Sequence, residues 1–185
     1  MDYTDYWKQI YNKNNELNSL LHAYWNDYSH LGTWQFWIVF AFLVIPLIIL
    51  YFTVDRKRIF ELFFFGYTIH ILWTYIGIAL ENYGYFVHTY FLSPMFPFGL
   101  SMNSSALPVG FLLIYQYCTN ANKNFYLYTL IAAALFAFGI ASIESSLGLV
   151  DFRKGMNQLY IFLIDVVIVY STYWFTKLIF KMKEQ

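Results

Sequence analysis

Residues 34–54, WQFWIVFAFLVIPLIILYFTV, run without a charged side chain, and that run decides what this chain can fold into. At about 1.5 Å per helical residue it reaches about 30 Å, the thickness of the hydrocarbon core of a bilayer. Backbone N–H and C=O groups find no water at that depth, so a helix, which satisfies them within one segment, is the form available. Three further runs follow the same rule: 62–80, which ends at Glu81; 125–143, which ends at Glu144; and 157–176, ahead of the tail KLIFKMKEQ. A run at 100–118 also has the length, but Asn103, Ser104, Ser105 and Pro108 interrupt its first half. The expected fold is therefore all-α: a polytopic membrane helical bundle of about five transmembrane helices, built from residues 34–185.

Composition points the same way. Hydrophobic residues make up 59% of the chain and charged residues 12%, where soluble domains carry about a quarter charged. Eleven basic and eleven acidic residues cancel, which excludes the basic footprint of a nucleic-acid binder. The chain has no Gly-rich phosphate loop, nucleophile elbow or strong metal spacing, so no cofactor is expected and the reading leans away from an enzyme. The single cysteine, Cys118, has no intramolecular partner and reads as a packing thiol. The opening MDYTDYWKQ lacks the basic and apolar regions of a cleavable signal peptide, so insertion is expected to rest on the spans.

Within residues 1–33, Tyr3, Tyr6, Trp7, Ile10, Leu17, Leu21, Tyr24 and Tyr28 recur mostly at three- and four-residue steps. That periodicity predicts an amphipathic interfacial helix, lying on the membrane surface or over the outer end of the bundle. Orientation follows from the basic residues, because short cytoplasmic loops hold the excess. Arg56, Lys57, Arg58, Lys123, Lys177, Lys181 and Lys183 fall on one side; Lys8, Lys13, Arg153 and Lys154 fall on the other. The expectation is a multipass protein of the plasma membrane, with its N-terminus outside and its C-terminus cytoplasmic. In the fourth span Thr129, Ala133, Ala137, Ala141 and Ser145 repeat every four residues, a seam for close packing within the chain, with a homo-oligomer or partner membrane protein as the other use.

Ionisable side chains at membrane depth are costly and tend to mark function. His70 in the second span and Asp165 in the last are the two, and their depths permit a pair. His70, Trp73, Thr74, Gly77 and Glu81 can share one helical face, a stripe suited to a proton path or a pocket wall. Asn103 joins the candidates for the same pocket or path. On the outer side Glu81, His88 and Glu144 are weak metal candidates, with Asp151 near them. The charge-free stretch between Glu81 and Pro108 is expected to lie along the interface or to dip into the membrane as a re-entrant segment. Asn103, Ser104 or Ser105 is expected to cap the helix that follows. These features point to a small-ligand-binding or sensory accessory component with an aromatic pocket under the long outer loop. The alternative is a small proton- or cation-translocating protein using His70 and Asp165. An enzyme acting on lipid ranks last, since no paired-carboxylate motif is present.

The segments YWNDYSHLGTWQFW, PLIILYFTVDRKRIFELFFFGY, SALPVGFLLIYQY and NKNFYLY resemble an uncharacterised family of small multipass membrane proteins of spore-forming Gram-positive bacteria. The resemblance extends over nearly the whole chain and implies a bacterial plasma-membrane setting without an assigned activity. It also implies carboxylates at two positions where this chain has Gly77 and Asn103.

Overall fold

In the computed structural model, which describes residues 1–97 and 99–183, helices dominate. Helix α1 (Tyr3–Tyr24) runs into a π turn at Trp25–Ser29, followed by α2 (Trp34–Thr53) and α3 (Ile59–Asn82). A second π turn, Met102–Ala106, leads directly into α4 (Leu107–Asn120). Helix α5 (Phe125–Ala134) continues through a third π turn, Leu135–Ile140, into α6 (Ala141–Ser146), and α7 (Gln158–Lys183) completes the set. Two three-residue strands, β1 (Phe86–His88) and β2 (Val150–Phe152), pair antiparallel, with Val87 opposite Asp151.

Four helical stretches are long and apolar enough to cross a membrane: Trp34–Thr53, Arg56–Asn82, Phe125–Ser146 and Gln158–Met182. The last three extend somewhat beyond the apolar runs, because helices continue through polar ends once the backbone bonds are in place. The helix over 100–120 has comparable length but is more polar. It sits at the centre, packed against α2, α3 and α5. Large apolar side chains such as Ile45, Ile48, Phe63, Leu135, Leu163 and Val167 face outward around the bundle, the perimeter a lipid solvent calls for.

Helix α3 supplies the core stripe. Leu62, Phe65, Gly66, Ile69, Trp73 and Gly77 are buried at three- and four-residue steps, and they meet α4 and α7. Toward the basic end, Phe65 stacks on Tyr115 at 4.3 Å between ring centroids and Phe125 on Tyr173 at 4.4 Å. Edge-on contacts between Tyr115 and both Phe125 and Tyr173 close that cluster, the geometry aromatic quadrupoles favour. The expected small-residue seam is intramolecular at Thr129, Ala133 and Ala137, all fully buried within this chain.

The turn between α2 and α3 is tied down by α4. Gln116 accepts from the Asp55 N–H at 2.8 Å and donates to the Thr53 carbonyl at 2.9 Å. Arg58 forks onto Glu61 at 2.7 and 3.1 Å and also donates to Thr119, while the Tyr115 hydroxyl donates to Glu61. At the opposite end α1 is exposed along residues 3–20 and is anchored to the described residues by its C-terminal end and the π turn that follows. Tyr24 donates to the Thr89 carbonyl at 2.9 Å, Trp25 to the Phe91 carbonyl at 3.2 Å, and the Ser29 hydroxyl both donates to and accepts from Phe91.

One expectation is corrected here and another takes a definite form. The described residues of the stretch after Glu81 are not coil alone. Its first part forms a ribbon with residues 150–152, which satisfies backbone groups that no helix covers. Its last part is already helical from residue 100, so Asn103, Ser104 and Ser105 do not cap the helix but lie inside it, in the π turn.

Candidate functional site

Asp165 lies mid-helix in α7 with no exposed surface. A carboxyl at that depth needs partners. One comes from α3: the Trp73 indole N–H donates to Asp165 Oδ1 at 2.9 Å. Oδ2 has no hydrogen-bond partner among the described residues. The expected approach of His70 to Asp165 does not occur, because Trp73 on the core stripe takes that place.

His70 has a different task, set by the π turn. In such a turn the carbonyl of residue i pairs with the N–H five residues on, as the Leu107 N–H does with the Met102 carbonyl. For the Asn103 carbonyl the matching residue is Pro108, which has no N–H. His70 Nδ1 stands 2.9 Å from that carbonyl. A carbonyl only accepts, so Nδ1 carries the proton and His70 supplies the donor that Pro108 withholds. The imidazole faces a cleft shared with Gly66, Ser104 and Pro108, away from Asp165.

The same π turn aims the Asn103 side chain the other way. A Cβ on Gly77 would stand 2.8 Å from Asn103 Nδ2, so the missing side chain at 77 is what lets the amide lie against α3. Gly77 and Asn103 thus face each other.

The ribbon brings the third group. His88 in β1 sits with its Nδ1 2.8 Å from Glu81 Oε1, the two side chains 10% and 5% exposed. Glu81 Oε1 also accepts from the Gly99 N–H at 3.2 Å. Burial favours the neutral imidazole, but the hydrogen bond and charge of Glu81, with the charge of Glu144, outweigh it and raise the His88 pKa above its ordinary value. Glu144, at the end of the fourth apolar stretch, is buried. Of the metal candidates, Glu81 and His88 are spent on each other, and the described residues hold no cluster of three His, Cys, Asp or Glu side chains spaced for a metal.

Trp73, Asn103, Asp165, Glu144 and His88 line one cavity of about 40 Å³ beneath the ribbon, room for one or two waters or a group of that size. Phe86, Phe136 and Phe152 form much of its apolar wall. Glu81 stands one step behind, holding His88, and His70 lies outside. Three of these residues were not legible in the sequence as pocket walls: Phe86, Phe136 and Phe152. Phe86 and Phe152 lie in loops and Phe136 inside an apolar run, where no motif in the sequence singles them out. The available signal was the apolar register of Phe86 and Phe152 in two short loops, compatible with a ribbon. No family model, curated protein or solved structure matches the chain.

Proposed function

We propose that this chain is a five-helix protein of a bacterial plasma membrane, N-terminus outside, that binds the polar group of a small ligand in the cavity beneath the ribbon. The helix over 100–120 is the fifth crossing, its polar side chains turned to protein, and α1 lies at the outer interface. One observation carries the ligand reading: Asp165 is fully buried, and among the described residues only one of its two carboxyl oxygens has a partner. Leaving such an oxygen without a partner costs about 1–3 kcal/mol, and a ligand in the adjoining cavity removes that cost. The role that fits is a sensory or accessory component rather than an enzyme.

A second reading, proton or cation translocation, draws on Thr129, Thr172 and Thr176, whose buried hydroxyls also have no partner among the described residues and lie toward the basic end. Buried Ile168 and Val169 fill the turn between Asp165 and Thr172, and the stack of Phe65, Tyr115, Phe125 and Tyr173 occupies that half of the bundle. Those packed groups favour binding over passage.

The test is mass spectrometry of protein purified in mild detergent. A small molecule should accompany wild type and be lost from Asp165→Asn. Proton or cation flux in liposomes that depends on Asp165 would instead support translocation.

A further inference from the structure

A volume of about 40 Å³ holds a head group and no more, whereas sites for whole small molecules span about 300–1,000 Å³. The missing space lies across one side chain. Phe136 walls the cavity on one face, and on its other face it lines a groove of about 450 Å³ between α2, α4 and the π turn. The groove is apolar throughout, formed by Phe42, Ile45, Pro46, Val109 and Leu113 among others, and Ile45 on its rim faces outward. Neighbouring residues divide between the two spaces: Ile140 faces the groove and Ala141 the cavity, as do Ala106 and Leu107.

Phe136 is placed where a partition can turn. It belongs to the π turn Leu135–Ile140, and such turns often mark functional sites within helices. Gly110 leaves the ring its slot, since a Cβ there would stand 2.6 Å from Phe136 Cζ. The polar groups in the cavity choose the ligand's head. Glu144 and Asp165 are carboxyls, the one histidine among the lining residues is already engaged by Glu81, and Trp73, Phe86 and Phe152 offer ring faces. Carboxylates within aromatic walls suit an organic ammonium group.

We propose that cavity and groove form one site for a single-chain cationic amphiphile, its ammonium head between Asp165 and Glu144 and its alkyl chain in the groove beyond Phe136. The proposal rests on the cavity being a ligand site. The chain enters sideways from the bilayer, and the head reaches the cavity when the Phe136 ring leaves its slot against Gly110.

Equilibrium dialysis of protein in phosphatidylcholine nanodiscs with labelled methylammonium, decylamine and decanoate tests this, with Asp165→Asn and Glu144→Gln nanodiscs as the reference for partitioning into lipid. Decylamine should bind wild type at least about tenfold tighter than methylammonium, the effect of burying two or more methylenes. Ile45→Trp, a change on the lipid-facing rim, should remove that advantage and leave methylammonium binding intact. Methylammonium and decylamine binding equally would overturn the groove while leaving the cavity reading in place. Decanoate binding as well as decylamine would overturn the cationic head. No amine bound above the Asp165→Asn and Glu144→Gln reference would overturn this proposal, while the molecule that accompanies the purified protein judges the cavity reading separately.

Discussion

The Trp73 indole N–H donates to Asp165 Oδ1 at 2.9 Å across 92 residues of chain, joining the middle of α3 to the middle of α7. Trp73 is 2% exposed and Asp165 not at all, so the bond forms without competition from water. Trp73→Phe keeps most of the ring and deletes the donor, leaving both carboxyl oxygens without a partner. Thermal unfolding in detergent should show a loss of about 1–3 kcal/mol. The double variant Trp73→Phe with Asp165→Leu should recover most of it, since both polar groups are then gone.

His70 and Pro108 should be coupled in the same way. His70→Ala strips the Asn103 carbonyl of its donor and should cost about 1–3 kcal/mol in an otherwise unchanged chain. Pro108→Ala restores a backbone N–H five residues after Asn103, so His70→Ala should cost clearly less in that background. Equal costs in both backgrounds would mean that His70 acts elsewhere.

The helical framework was legible because lipid leaves the backbone few alternatives. The apolar runs at 34–54, 62–80, 125–143 and 157–176 all lie within or nearly coincide with observed helices. Of the candidate residues, Trp73, Asn103 and Asp165 line one cavity, while His70 and Glu81 stand off its lining. The partner of Asp165 was not legible: Trp73 and His70 are three residues apart, and which of them meets α7 depends on rotation about the helix axis. The π turns were invisible for a related reason. Each inserts a residue into the helical phase through hydrogen bonding alone, and Met102–Ala106 and Leu135–Ile140 carry no residue pattern that announces it. The ribbon was hidden because three-residue strands are too short to show alternation.

Stability should depend on pH through His88. Its folded-state pKa is raised, so protonated His88 stabilises the ribbon end fully below the ordinary histidine value of about 6.5. That contribution is lost as pH rises through the raised pKa. The charged groups facing it are Glu81 and Glu144. The unfolding temperature should therefore fall as pH rises from about 6 to about 9, and Glu81→Gln should flatten the decline. An unchanged slope in Glu81→Gln would remove the pair as its origin.

Orientation can be read by thiol labelling in a Cys118→Ala background. Lys13→Cys should react with an impermeant maleimide applied to intact cells, and Lys57→Cys should react only after permeabilisation. Labelling of Lys57→Cys from outside would invert the proposed topology.

The most direct test of the cavity is an experimental structure of the protein in lipid nanodiscs, at a resolution that shows single waters. The expected result is density for a non-protein molecule within hydrogen-bonding distance of Asp165 Oδ2 and reaching toward Glu144. A cavity holding water alone, or one closed by Asp165 turning onto a protein donor, would contradict it.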